Sequence, residues 1–121
     1  MPPHVLFDMV IDCLNRKLHV FIEKPPGVIM EQTRQMALLA EKNKCLTMVS
    51  FQRRFQDNNE EGTVLVSSEI AGSKDFHKTA GFYAENRHFI DCIKEKKNPM
   101  TNFFDALKTM ELVDRIYHTE L

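Results

Sequence analysis

The chain has 121 residues, of which 43% are hydrophobic, and its 16 basic and 17 acidic residues give a formal net charge of −1. This balance is typical of one globular domain with a single core, and the interspersed charges exclude a basic surface that recruits nucleic acid or an anionic membrane. The apolar runs are too short to span a bilayer and the first residues lack a signal-peptide pattern, so we expect a cytoplasmic protein with no nucleic-acid or membrane partner.

The three cysteines are Cys13, Cys45 and Cys92. Their odd number, wide separation and apolar surroundings fit reduced, buried thiols better than a disulfide framework or a zinc site. We therefore expect no metal.

The first periodic segment predicts an amphipathic helix of about three turns that leads into a strand. The apolar face of this helix consists of Leu6, Met9, Val10, Cys13 and Leu14. The alternating β-branched and aromatic run over residues 18–22 predicts the strand, which ends because the Pro-Pro-Gly turn at 25–27 cannot continue a ladder. Glu23 and Lys24 are therefore expected at the carboxyl end of the strand, where α/β sheets bind ligands. A solvated lysine beside a glutamate is the alternative interpretation.

The next segment predicts a helix over residues 31–43 and a second strand over residues 46–51. The inner side of this helix is expected to carry Thr33, Met36, Ala37, Leu39 and Ala40. A strand, helix and strand within residues 18–51 make a βαβ unit, in which the strands are parallel and the crossover is right-handed.

The second half of the chain has weaker patterns. Residues 56–62 are polar and acidic and predict a linker, residues 63–70 alternate like a half-buried strand, and residues 71–81 predict a connection. Two helices follow, the second of which begins with Thr101 or Asn102 as its N-cap. The residues expected to point inward from the first are Phe89, Ile90 and Ile93. Those expected from the second are Phe103, Ala106, Leu107, Met110, Val113 and Tyr117.

Several motifs occur in an order that resembles the Gfo/Idh/MocA oxidoreductases, a family that includes glucose-fructose oxidoreductase and inositol dehydrogenase. They are Pro2-Pro3-His4 before the first helix, Val20-Phe21-Ile22-Glu23-Lys24-Pro25 at the strand end, and Met48-Val49-Ser50-Phe51-Gln52-Arg53-Arg54-Phe55 after the second helix. Near the carboxyl terminus, the segments Asn86 to Ile93 and Asp105 to Leu107 resemble the last part of family members.

The resemblance implies an α/β fold, in which a partial Rossmann-like parallel βαβ unit is followed by a strand and C-terminal helices. Its implied divisions are a partial dinucleotide-binding half at 1–55, a linker at 56–62, and a remnant of the C-terminal oxidoreductase domain at 63–121. Family members transfer hydride between NAD(P) and sugars, polyols or related hydroxyl compounds. The implied cofactor is therefore NAD or NADP, and the implied substrate is a small sugar or polyol.

By the same resemblance, Lys24 is the expected catalytic residue, and Glu23, Lys24, Pro25 and His4 are expected at the cofactor. A lysine ammonium group can hydrogen-bond a substrate hydroxyl and, when partly buried, exchange a proton during hydride transfer. The family also implies a cis peptide bond between Lys24 and Pro25. For His4 and for His88 a packed, structural role is the alternative.

The sequence also departs from the family's pattern. It contains no G-x-G-x-x-G, so the turn that cradles a pyrophosphate is missing and binding of the dinucleotide by this chain is in question. The chain begins at what resembles the middle of a nucleotide-binding domain. Between Phe55 and Thr63 it skips the segment where the family has an aspartate and a histidine, and Asp75 and His77 do not replace that pair. Ile29 stands where relatives place a capping Thr or Ser.

Three functions are compatible with the sequence. The chain is a shortened oxidoreductase, truncated at the N-terminus and internally, with little or no catalysis of its own. Alternatively it is a non-catalytic interaction module that pairs with a full-length relative or another chain, since unpaired strand edges favour such pairing. A third interpretation is an NAD(P) enzyme that borrows its nucleotide site in a homo- or hetero-oligomer.

Overall fold

A computed structural model describes residues 2–51 and 81–119. Within these ranges lie four helices and two strands: α1 (Pro3–Asn15), β1 (Val20–Ile22), α2 (Met30–Lys42), β2 (Thr47–Val49), α3 (Phe82–Glu95) and α4 (Phe103–His118). The predicted linker at 56–62, the predicted strand at 63–70 and residues 71–80 of the predicted connection lie outside the described residues.

The two strands pair in parallel, with Val20 opposite Thr47 and Ile22 opposite Val49. Helix α2 connects them, because parallel strands need a crossover that returns the chain to the same end of the sheet. The predicted βαβ unit is confirmed, and with it the partial Rossmann-like α/β fold.

The core lies between this sheet and helices α1, α2 and α4. Its buried members are Val10, Leu14, Val20, Ile22, Met36, Ala37, Ala40, Cys45, Val49, Phe103 and Ala106. The inner faces predicted for α1 and α2 are confirmed at most positions. Met9 is the exception, because it lies at the margin of the α1 stripe and is half exposed.

Helix α3 buries only part of the face predicted for it, since Phe89 is buried and Ile93 is partly buried. Its buried residues are Glu85, Phe89 and Cys92, which recur at helical spacing on one side. Ile90 lies one position beyond this stripe, about 100° further round the helix, and its side chain is 48% exposed. The expectation that Ile90 points inward is therefore wrong. Phe89 contacts Phe21 of β1, with 5.4 Å between the ring centroids, and so fixes α3 against the sheet.

The edge of β2 that faces away from β1 is closed by the segment before α4. The backbone N–H of Val49 donates to the carbonyl of Thr101 at 2.8 Å, and the Thr101 hydroxyl donates to the Val49 carbonyl at 2.8 Å. The backbone N–H of Phe103 donates to the Thr47 hydroxyl at 3.1 Å. These bonds satisfy backbone groups that a third strand satisfies in a wider sheet.

Helix α4 is capped by Asn102, whose Oδ1 accepts a hydrogen bond from the Asp105 N–H at 3.0 Å. Of the two predicted N-caps, Asn102 is the one that caps the helix. The first turns of α4 bury Phe103 and Ala106, but the last turns extend beyond the core, and Tyr117 is 84% exposed. The expected inward positions of Val113 and Tyr117 are wrong, because the helix is longer than the layer it covers.

The three cysteines are free thiols; Cys45 and Cys92 are buried, as predicted, whereas Cys13 is only partly buried. Burial raises the pKa of the Cys45 and Cys92 thiols, which keeps them protonated. Among residues 2–51 and 81–119, no helix is both long and apolar enough to cross a membrane.

Candidate functional site

The turn after β1 presents Lys24 at the carboxyl end of the sheet. Glu23 and Lys24 directly follow Ile22, the last residue of the strand, and both side chains are exposed. The peptide bond between Lys24 and Pro25 is cis, as the resemblance implies. The partial burial expected for Lys24 is not found, because the cleft at this turn is open to solvent.

A cleft of about 360 Å³ runs along the outer edge of β1 to this turn. Glu23, Lys24 and Pro25 form one end of the cleft, and Phe21 contributes to its wall. The remaining wall comes from the apolar side of α1, namely Leu6, Met9, Val10 and Cys13. The result is an apolar channel with an ammonium and a carboxylate at one end.

A second cleft, of about 320 Å³, opens on the α4 side of the same turn. Lys24 and Pro25 line it together with Phe51, Ala106 and Met110. Lys24 therefore lies between two apolar openings at the carboxyl ends of parallel strands, which is where ligands bind in open α/β sheets.

Glu85 of α3 is a buried carboxyl group near this turn, and its side chain is only 1% exposed. The Ser50 hydroxyl donates to Glu85 Oε2 at 3.0 Å, and the backbone N–H of Phe51 also donates to this carboxyl group. Burial, assisted by the nearby charge of Glu23, raises the pKa of Glu85 against the effect of these hydrogen bonds. Sequence reasoning missed Glu85, although a carboxylate on the apolar side of α3, in register with Phe89 and Cys92, is a signal that could have found it.

The two histidines singled out from the sequence lie apart from Lys24. His4 is exposed on the first turn of α1 and does not line either cleft. His88 Nε2 accepts a hydrogen bond from the Met100 N–H at 2.9 Å, which joins α3 to the segment before α4. His88 Nε2 also lies 3.6 Å from Cys92 Sγ. The raised pKa of the Cys92 thiol makes this pair a poor nucleophilic dyad, and the contacts of His88 favour its structural interpretation.

The N-terminus of α2 follows β1 but does not form a phosphate cradle. Its N-cap, Ile29, makes no side-chain cap hydrogen bond, while the Val28 N–H donates to Gln32 Oε1 and the Gln32 N–H donates to the Ile29 carbonyl. Glu31 adds a negative charge in the first turn, which opposes anion binding. Gly27 packs so tightly that an added Cβ lies 2.9 Å from Thr33 Oγ1.

A nicotinamide dinucleotide thus fits the described residues only in part. The apolar clefts beside Lys24 suit a flat ring, but residues 2–51 and 81–119 offer no Gly-rich turn for a pyrophosphate. No cluster of at least three His, Cys, Asp or Glu side chains able to hold a metal ion occurs in this part of the chain.

Comparison with protein families matches residues 1–51 to an oxidoreductase family with an NAD-binding Rossmann fold, Gfo/Idh/MocA. The matched range comprises α1, β1, the Lys24 turn, α2 and β2. Neither a curated protein nor a solved structure matches the chain. Residues 1–51 of this protein, which fold as a helix followed by a parallel βαβ unit, thus match the Gfo/Idh/MocA family of oxidoreductases with an NAD-binding Rossmann fold.

Proposed function

We propose that the chain is a Gfo/Idh/MocA-type oxidoreductase that contributes the lysine-bearing side of an active site and has weak or no activity by itself. The family reaction is hydride transfer between NAD(P) and a sugar, polyol or related hydroxyl compound. The observation that supports this proposal best is the position of Lys24, at the carboxyl end of β1 and between two apolar clefts.

The chemistry of the turn agrees with this role. An ammonium group donates hydrogen bonds and can orient a substrate hydroxyl, while the apolar wall along Phe21 excludes water from the bound face of a ring. Lys24 is the proposed catalytic residue, and Glu23 and Pro25 shape the turn that presents it. His4 remains a proposed cofactor contact, although its first-turn position lies outside both clefts.

Weak activity follows from the missing phosphate cradle. Contacts to the remote parts of a substrate normally supply the binding energy that orients its reacting part. The described residues supply no such contacts for a pyrophosphate, so a nicotinamide ring at Lys24 is held only by its local surface.

Titration of the isotope-labelled chain with a polyol such as inositol, and separately with NADH, tests the proposal. We expect weak binding, in the millimolar range, with amide shifts confined to residues around the turn such as Phe21, Glu23 and Lys24. Lys24→Met should abolish the shifts caused by the polyol, because the methionine has a similar length but no donor. The matched control is Lys108→Met, since Lys108 is exposed on α4 and lines neither cleft.

Three outcomes contradict the proposal. Unchanged amide shifts around the turn at saturating polyol exclude a site there. Equal loss of binding in the Lys108→Met variant removes the special role of Lys24. Saturable NADH binding at micromolar concentration, seen by nucleotide fluorescence, shows that the chain holds the phosphates and contradicts the weak binding expected from a missing phosphate cradle.

The free edge of β1 favours a second candidate, a non-catalytic interaction module. Val20 and Ile22 bond to β2 through the Leu46 carbonyl and the Ser50 N–H, so the backbone groups of Phe21 face the other edge. Among the described residues that edge carries no strand. Its partner is proposed to be a strand from a second Rossmann-type chain, because sheets of this class are parallel and such a strand can pair with the outward-facing backbone groups of Phe21. Light scattering that reports a monomer, both alone and after mixing with a full-length family member, excludes this candidate.

A further inference from the structure

Glu85 is the buried ionisable group that the proposed chemistry leaves unexplained. Its Oε2 accepts the Ser50 hydroxyl at 3.0 Å, while its Oε1 is buried and has no hydrogen-bond partner among residues 2–51 and 81–119. A buried carboxyl group with an oxygen that no described residue hydrogen-bonds is costly, so a specific constraint is needed to explain its presence on the apolar side of α3.

The hydrogen bonds around Glu85 lead directly to the Lys24 turn. Ser50, which donates its hydroxyl to Glu85, also donates its backbone N–H to the Ile22 carbonyl at 2.8 Å. Ile22 is the last residue of β1, immediately before Glu23 and Lys24. Glu85 therefore holds the Ser50 side chain, and the Ser50 backbone holds Ile22 at the start of the Glu23-Lys24 turn.

Helix α3 contacts both strands at this level. Phe89, one turn after Glu85, packs on Phe21 of β1, whereas Glu85 itself bonds to Ser50 just beyond β2. The two contacts hold the carboxyl ends of β1 and β2 against one helix. A change at Glu85 should therefore alter the strand ends before it alters the rest of the core.

We propose that Glu85 is a positioning residue, whose carboxyl group holds Ser50 and thereby fixes the Glu23-Lys24 turn at the clefts. This inference rests on the proposed function, because the position of the turn affects activity only if Lys24 acts at the clefts. The hydrogen-bond chain itself does not depend on any ligand.

The charge state of Glu85 makes the proposal testable by pH. Burial raises the pKa of this carboxyl group above its ordinary value of 4.5, the Ser50 and Phe51 hydrogen bonds lower it, and the carboxylate of Glu23 raises it further. Among the described residues, Glu23 faces the Glu85 carboxyl group from the end of β1, and Ser50 and Phe51 face it from the segment after β2. Because the folded state binds the proton more tightly, the stabilisation is complete below about pH 4.5 and is lost as the pH rises through the folded-state pKa.

The experiment compares wild type with Glu85→Gln, a neutral variant of the same shape, by amide exchange and chemical denaturation from pH 4 to pH 8. Above pH 4.5 the unfolding equilibrium constant of wild type should rise, relative to the variant, by up to about tenfold per pH unit until the folded-state pKa is passed. Exchange of the Ser50 N–H should follow the same trend. Glu41→Gln is the matched control, because Glu41 is exposed on α2 and should leave this pH dependence unchanged.

Ser50→Ala provides a second variant that keeps the carboxyl group. It should accelerate exchange of the residue 50 amide by about tenfold and shift the Lys24 amide resonance, because the link from α3 to the turn is cut. A Glu85→Gln variant with the pH dependence of wild type, or a Ser50→Ala variant with an unchanged Lys24 resonance, overturns the proposal. None of these measurements uses a nucleotide or polyol, so failure of ligand binding at Lys24 and failure of the Glu85 link are separate results.

Discussion

The Thr101 hydroxyl is one of the groups that close the outer edge of β2, and Thr101→Val tests how much this hydroxyl contributes to stability. Thr101 is fully buried, and its hydroxyl donates to the Val49 carbonyl at 2.8 Å. In the parallel ladder this carbonyl faces away from β1, so the variant leaves it buried and without that donor. A buried carbonyl that loses its partner costs about 1–3 kcal/mol.

Thr101→Ser is the matched control, because it keeps the hydroxyl and removes only a methyl group. Loss of a buried methyl costs about 1 kcal/mol. We therefore expect Thr101→Val to lower the free energy of unfolding more than Thr101→Ser does, although valine is the closer match in shape. Urea denaturation followed by circular dichroism measures both variants against wild type.

The ranking of the two variants decides the matter. If Thr101→Ser is the more destabilising variant, packing of the Thr101 methyl group contributes more to stability than the bond from the Thr101 hydroxyl to the Val49 carbonyl. A Thr101→Val variant within about 0.5 kcal/mol of wild type would falsify the reasoning, since that is the range of ordinary surface substitutions.

Two further predictions concern the turn between Lys24 and α2. Ile29→Ser should raise the free energy of unfolding by about 1 kcal/mol, because Ile29 is an exposed N-cap without a side-chain hydrogen bond; a thermal melt that shows no gain contradicts the cap geometry. Gly27→Ala should lower it by about 1–3 kcal/mol, because the new Cβ lies 2.9 Å from Thr33 Oγ1 and 3.2 Å from the Ile29 carbonyl oxygen. Denaturant unfolding measures this loss, and an alanine variant as stable as wild type shows that the turn can relax away from α2.

The sequence predicted the local elements well where its patterns were regular. Met30–Lys42 was expected at 31–43, and the strands at 18–22 and 46–51 occur as shorter ladders, Val20–Ile22 and Thr47–Val49. The ends of each strand are set by the neighbouring strand, because a residue belongs to the ladder only where the neighbour offers a backbone partner. Here the pairing extends over Val20–Ile22 and Thr47–Val49. The site was predictable as far as Lys24, since Pro-Pro-Gly must end the strand there.

The buried face of α3 and the exposure of the last turns of α4 were not predictable from the sequence pattern alone. Apolar spacing favoured Ile90, yet the packing of Phe89 on Phe21 rotates the helix so that Glu85 is buried and Ile90 is exposed. Similarly, the apolar pattern of α4 continues to Tyr117, but the layer beneath the helix ends earlier. A hydrophobic pattern shows which residues can be buried, whereas the neighbouring elements determine which of them are.

The amino-acid sequence by itself determined the parallel βαβ unit and the placement of Lys24 after β1, because both follow from short-range patterns and from the proline and glycine residues that end a strand. Only the tertiary structure decided that Thr101 covers the outer edge of β2 and that Glu85 meets Ser50. These contacts join residues 52 and 35 positions apart, and no local propensity specifies which distant segment satisfies a buried backbone or hydroxyl group.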